Sequence, residues 1–346
     1  MRVLLHEWCS SGGLPADSGP GGPRAPAGIA AEGRAMLAAL VRDAGRAPGL
    51  AIELLLDRRL APDSLGPLPP RSRIVAVEPG GDLEALRRAA AHCERALVVA
   101  PEDDGLLEAR VAAVRGAGGV AVACDDGFIR LAADKQATIV ALAGRGVPVP
   151  AGRVLHPGEP FPAGFHLPAV AKARAACGGA GFALVHAAGA LPADDGQRRL
   201  EAFVAGEPVG VSCLCGPRGV LALPPVRQRS AGIPPRFVGG DFALAPGPAG
   251  RAVALALRAV RGLAMAGGVA RGWVGVDMVL APREDGLGDR VLEVNPRLTT
   301  SFTGLSRRGR GSLLGAMIAL ADGLPPPPDW DPSPAGAAEA AFDAFS

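Results

Sequence analysis

Two alternating runs near the end of the chain constrain its fold most strongly. They are Trp273 to Leu280 (WVGVDMVL) and Arg290 to Thr300 (RVLEVNPRLTT), separated by a polar segment containing Pro282, Gly286 and Gly288. Period-two alternation on both sides of turn residues predicts an antiparallel hairpin. If the hairpin is symmetric about Asp285, paired residue numbers sum to about 570, which sets Asp277 opposite Glu293 and Gly275 opposite Asn295 on one face. Val276, Met278, Leu292 and Val294 then share the other face, which is core. A slip of one residue would scatter the set. Carboxylates facing each other at roughly 5 Å repel, and a hard cation is the simplest partner that makes such a face favourable. Asp277, Glu293 and Asn295 are therefore candidate metal ligands.

Composition narrows the classes of partner. Lys+Arg number 36 against 34 Asp+Glu over 346 residues, so no global field points to nucleic acid or to anionic lipid. No segment approaches the roughly 18 apolar residues of a membrane span, and the first apolar run is too short for a signal peptide. The six cysteines lack paired CxxC spacing, which favours a reducing, cytoplasmic setting. Cys213 and Cys215, on one strand face, are expected to pack rather than ligate. Arginine dominates the basic residues, and only Lys135 and Lys172 occur in the whole chain. Each lysine is correspondingly informative.

Short apolar strands are expected at 3–5, 52–56, 74–77, 96–100 and 120–123, with helices at 30–42, 82–93 and 102–115. That alternation predicts an α/β fold with a parallel, Rossmann-like sheet over residues 1–125. The Gly/Pro-rich stretch 10–28 becomes a long loop at the carboxyl end of the first strand, the edge where ligands bind in open α/β sheets. No GxGxxG follows that strand, so a dinucleotide site is poorly supported. His6, at the strand's end, is a candidate substrate contact or an ordinary strand-end residue. A helix over 135–142, a turn ending at Pro150 and a short strand carrying Lys172 follow. Next comes a glycine loop (177–181) whose amides could approach phosphate oxygens or simply turn a hairpin. Glu201 and Glu207 suit the rim of an apolar slot, though such carboxylates are more often solvated. Arg227 and Arg229, two apart on an extended segment, point the same way and could meet an anion. Helices are expected at 248–265 and 311–321, and a mobile tail over 329–346. Thr299, Thr300 and Ser301 could donate to a substrate carboxylate or cap the following turn.

The ordered set Asp134-Lys135, Gly146 to Pro150, Lys172 with its glycine loop, Glu201-x-Phe203-Val204 with Gly206-Glu207, Asp277, and Glu293-Val-Asn295-Pro-Arg297 resembles the ATP-grasp superfamily. The resemblance implies an ATP-grasp fold: a Rossmann-like domain (1–125), a small lid subdomain (126–195), a carboxyl-terminal subdomain with the metal site (196–325) and a Pro-rich tail (326–346). It implies ATP held by Lys135 and Lys172 under a loop containing Gly178, Gly179 and Gly181. Glu201, Phe203 and Val204 would form the adenine hinge, and Glu207 would accept from the ribose. Two Mg²⁺ ions, replaceable by Mn²⁺, would sit on Asp277, Glu293 and Asn295. Arg297 and Arg229 would meet the transferring phosphoryl group. Gly275 stands where D-alanine ligases carry an arginine, so that charge must fall elsewhere or be absent.

Within the superfamily, Asn295 to Thr300 running into Gly304-Leu305-Ser306, and His6-Glu7-Trp8 running to Gly13, resemble the tyramine-glutamate ligases of methanofuran biosynthesis. That resemblance implies amide formation through an acyl phosphate between small-molecule amino acid or amine substrates, contacted by His6, Glu7 and residues 299–301. A homodimer is left open. Alternatives are a ligase for another amino acid or peptide pair, a phosphotransferase acting on a hydroxyl, and a nucleotide-binding protein without turnover.

Overall fold

The computed structural model describes residues 1–16, 27–175, 181–188, 191, 196–232, 236–333 and 341–344. The first sheet contains β1 (Arg2–Glu7), β2 (Ala51–Asp57), β3 (Arg73–Val77) and β4 (Arg95–Val99), all parallel, in the order β3-β2-β1-β4. Helices α1 (Ala27–Ala44) and α2 (Asp82–Ala90) lie between these strands in sequence, and α3 (Leu106–Gly116) follows them. Near-continuous apolar strands suit a parallel sheet covered on both faces. In β2, Ile52, Leu54 and Leu56 enter one hydrophobic core while Leu55 enters another. The strand expected at 120–123 is a single parallel bridge from Ala121 to Ala96.

Helices α4 (Asp126–Ala133) and α5 (Lys135–Ala143) lead to a small antiparallel sheet. Its strands are β5 (Gly152–Leu155), β6 (Ala169–Ala173), β7 (Ala183–Val185) and β8 (Arg198–Ala202), in the order β5-β8-β6-β7. A division at residue 195 would separate β8 from its partner strands. The core of this sheet consists of Leu155, Ala169, Ala171, Val185 and Leu200, with a few partly buried neighbours.

The large sheet comprises β9 (Glu207–Gly216), β10 (Gly219–Ala222), β11 (Val226–Ala231), β12 (Arg236–Asp241), β13 (Gly272–Leu280), β14 (Arg290–Asn295) and β15 (Phe342–Asp343). Its order is β14-β13-β9-β11-β12-β15, with β10 paired to β9. Helix α6 (Pro246–Gly267) buries Ala252, Leu255, Ala256, Ala259, Val260 and Leu263, an i, i+3, i+4 stripe. That stripe shares one core with Val274, Val276, Met278 and Leu280 of β13 and with Cys213 and Cys215, which pack as expected. Helices α7 (Phe302–Arg308) and α8 (Leu313–Ala321) follow β14. Part of the expected tail is strand: Phe342 is buried, with its ring 5.7 Å from that of Phe242.

The hairpin register is the expected one: Gly275 with Asn295, Val276 with Val294, and Asp277 with Glu293. A bulge then intervenes, and Met278 faces Val291. Leu292 is the extra residue, only partly buried, and Val291 takes the core place expected for it. Among the described residues, no helix is long and apolar enough to cross a membrane.

Candidate active site

The face of β13 opposite the α6 core carries Asp277. Asn295 Nδ2 donates to Asp277 Oδ2 at 2.8 Å, and Gln228 Nε2 donates to Asp277 Oδ1 at 2.7 Å. Gln228 reaches across β9 because residue 210 is glycine: a Cβ there would lie 2.7 Å from Gln228 Nε2. Burial and the facing Glu293 push the Asp277 carboxyl up to about 6, against the hydrogen bonds from Gln228 and Asn295. Burial also opposes the charge on Glu293, but Lys135 and Lys172 outweigh it and hold its pKa below the ordinary glutamate value. Lys135 Nζ lies 2.8 Å from Glu293 Oε1. Among the described residues no three His, Cys, Asp or Glu side chains form a metal cluster, so the donor set is two carboxylates and an amide. Hard oxygen donors, one of them a carboxylate whose charge its burial and its neighbour oppose, fit a divalent cation such as Mg²⁺.

Both lysines are placed by neighbouring charges. Asp134 caps α5 by accepting from Gln136 N at 2.9 Å and Ala137 N at 3.1 Å, and it accepts from Arg174 Nη2 at 2.6 Å. The cap starts the helix at Lys135. Lys172 Nζ lies 2.7 Å from Glu201 Oε1 and 3.4 Å from the carbonyl oxygen of Leu292, the bulge residue. Arg199 Nε donates to the other Glu201 oxygen at 3.0 Å. Glu201 is therefore a buried carboxylate between two cations, not a solvated rim group. Phe203 is exposed and its N–H donates to Pro168 O at 3.1 Å. Val204 is partly buried, and Glu207 sits 3.5 Å from Arg227. Gly181, at φ 68°, lines the cleft. Gly178 and Gly179 lie outside the described residues.

A cleft of about 420 Å³ opens between the carboxyl ends of β1 and β4, helix α1 and this carboxylate floor. Arg297 lies in it, with its guanidinium on Glu102. Thr299, Thr300 and Ser301 also line it, and Thr300 Oγ1 donates to Glu32 Oε2 at 3.2 Å. Glu7 reaches the wall but is nearly enclosed, accepting from Ser10 N at 2.8 Å and Cys9 N at 3.2 Å. Burial raises its pKa, against those bonds.

Two of the candidate residues turn away from the cleft. Arg229 donates to Phe342 O at 3.0 Å and Asp343 Oδ1 at 2.8 Å. Strand parity on β11 gives the cleft face to Gln228 and Ser230, and turns the arginine toward β15. His6 is 1% exposed, with Nε2 3.1 Å from Asp82 Oδ2, which also accepts from Arg110 Nε at 2.6 Å. It sits within that charged cluster and does not line the cleft.

A model of the ATP-grasp domain matches residues 132–301, and one of the pre ATP-grasp 3 domain matches residues 50–127. The chain belongs to the ATP-grasp superfamily. Its fold is similar to that of an ATP-grasp superfamily protein from Archaeoglobus fulgidus, at 22% identity and a TM-score of 0.68, over 94% of this chain and 89% of that one. The N5-carboxyaminoimidazole ribonucleotide synthetase of Thermus thermophilus matches at 20% identity and 0.63, over 94% and 79%. The L-amino acid ligase of Bacillus licheniformis matches at 14% and 0.63, over 92% and 74%. No curated protein matches the chain.

Gln228, Glu102, Glu32, Ser212 and Arg199 were absent from the sequence expectations. Arg199 carried a usable signal, since it lies two residues from Glu201 on a strand and so shares its face. For Gln228 the parity of β11 was the missing fact.

Proposed function

We propose that this protein is an ATP-dependent ligase joining a carboxylate to an amine through an acyl phosphate. One observation carries the reading: the only two lysines of the chain converge on one site, Lys135 on Glu293 and Lys172 on Glu201 and the Leu292 carbonyl. The γ-phosphoryl group of ATP passes to a carboxylate oxygen; the amine then attacks the acyl carbon, phosphate leaves, and the nitrogen loses its proton. Asp277, Glu293 and Asn295 would hold Mg²⁺, which when bound would supply charge neutralisation at the phosphate oxygens. Lys135 and Lys172 orient the phosphates once ATP displaces their carboxylate partners. Arg297, held by Glu102, faces the reacting group, and Gln228 fixes the Asp277 carboxylate.

Tyramine or tyrosine with glutamate is the substrate pair that residues 6–13 and 295–306 favour by resemblance, with contacts from Glu7 and residues 299–301. Incubation with ATP, Mg²⁺, glutamate and either amine tests it. Phosphate release that requires both partners is expected. ADP formed with neither amide nor free phosphate identifies a phosphotransferase, and no turnover across a panel of acids and amines sinks the ligase reading.

A further inference from the structure

Three hydroxyls that line the cleft form a chain. Thr299 Oγ1 and Ser301 Oγ are 2.8 Å apart, and Ser301 Oγ and Ser212 Oγ are 2.9 Å apart. The remaining pair, Ser212 to Thr299, is 3.5 Å apart, beyond hydroxyl hydrogen-bond range. Two contacts therefore join three O–H groups, whichever way each one points. One hydrogen is left over. At the far end Trp273 Nε1 lies 3.1 Å from Thr299 Oγ1. An indole N–H only donates, so Thr299 must accept from it. Accepting that bond makes the Thr299 hydroxyl a better donor and a poorer second acceptor, because hydrogen bonds in a chain polarise one another. The favoured direction runs from Trp273 to Thr299, to Ser301, to Ser212. The surplus hydrogen then belongs to Ser212, which is 3% exposed and borders the cavity.

Residue 275 makes the chain possible. Gly275 pairs with Ser212 across β9 and β13, and a Cβ on it would lie 2.5 Å from Thr299 Cγ2. Any side chain there would push Thr299 off the sheet and break its link to Ser301. The cleft thus has, where a larger residue could stand, a row of neutral hydroxyls with one hydrogen left to donate, on Ser212.

We infer that Ser212 is a specificity-determining residue, the terminal donor of a Trp273–Thr299–Ser301–Ser212 relay that holds a substrate carboxylate other than the one being activated. The inference rests on the ligase reading of this cleft and narrows its substrate class to amino acids over simple amines. A hydroxyl donor to an anionic oxygen is recognised by hydrogen-bond direction and reach, without a further cation in the wall.

The test is binding to the full chain, followed by calorimetry, since Trp8 and Trp330 would add their emission to that of Trp273. The probes are L-glutamate, L-glutamine and γ-aminobutyrate, with L-tyrosine against tyramine. At least one carboxylate-bearing amino acid is expected to bind and to lose affinity about ten-fold in Ser212→Ala. Ser301→Ala, which cuts the relay but leaves the terminal hydroxyl, should lose less, and the decarboxylated counterpart should bind equally to wild type and Ser212→Ala. Equal binding of every probe to both proteins, or no binding by any, overturns the inference. Phosphate release in the ligase assay is scored separately. Turnover that is indifferent to Ser212→Ala sinks the relay while leaving the ligase reading standing.

Discussion

Two charged clusters in this molecule look alike in composition and differ in balance. Around Asp82, one carboxylate faces His6 and Arg110, all three buried. Burial alone would raise the Asp82 pKa, but His6 and Arg110 outweigh it and the carboxyl stays below its ordinary value. At the hairpin, two carboxylates face each other, and Asp277 is pushed up to about 6. The first cluster is balanced in charge, with His6 Nδ1 its one buried atom lacking a hydrogen-bond partner, and serves as scaffold at β1. In the second, Lys135 compensates Glu293, but burial and the facing Glu293 still oppose the charge on Asp277, which a bound cation would relieve. A buried group whose charge its neighbours fail to compensate marks a site better than burial or charge alone.

The largest effect should come from breaking the balanced cluster. Asp82→Ala leaves Arg110 without its carboxylate in the interior and should cost about 3–5 kcal/mol of folding free energy. Chemical denaturation measures this, and a loss below about 1 kcal/mol would show the cluster is not the scaffold described. Glu293→Gln should instead lower turnover at least about a hundred-fold with a smaller fall in the thermal midpoint than Asp82→Ala, since it relieves Asp277 but removes the charge facing Lys135. A midpoint that falls further than that of Asp82→Ala, with turnover retained, would reverse the comparison.

The two clusters should also respond to pH with opposite signs. Burial lowers the His6 pKa, against the pull of Asp82. The folded state then resists protonation that the unfolded chain accepts below about 6.5, so this cluster loses stability as pH falls through that value. The Asp277 pKa is raised, so the folded state takes up a proton near pH 6 that the unfolded chain takes only near 4. Between those values the metal-free protein gains stability from this site as pH falls, on the order of 1 kcal/mol. Urea midpoints for His6→Gln and Asp277→Asn, each compared with wild type at pH 7.5 and pH 5, separate the signs. His6→Gln should flatten the loss and Asp277→Asn should flatten the gain; the same direction in both would refute the contrast.

The hairpin was legible because its pairing follows from alternation and a symmetric turn, two local properties. The bulge at Leu292 was not, since it answers to Lys172 donating to the Leu292 carbonyl from another sheet. The parallel sheet was legible from its apolar runs, and the strand expected at 120–123 shrank to one bridge. Glu201 was misjudged as a rim group because its burial depends on Lys172 and Arg199 meeting it from β6 and from its own strand. His6 was left open between substrate contact and strand end, and Asp82 and Arg110 decide it from 76 and 104 residues away. For the bulge, for Glu201 and for His6 the missing fact is a charge partner supplied by tertiary structure.

The smallest effect should be at Arg229, which the arginine spacing on β11 offered as a second cation for the phosphoryl group. Its guanidinium pairs with Asp343, with 45% and 70% of the two side chains exposed. Exposed pairs of this kind contribute roughly 0–1 kcal/mol. Arg229→Ala should therefore lower the thermal midpoint by only a degree or two and leave turnover within about two-fold. Gln228→Ala, the adjacent residue on the opposite face, should lower turnover about ten-fold by freeing one oxygen of Asp277 from its fixed orientation. Because the two side chains differ by one step along the strand, their ratio of effects reads the parity of β11 directly. A larger loss at Arg229 than at Gln228 would place the arginine in the cleft and the glutamine outside it.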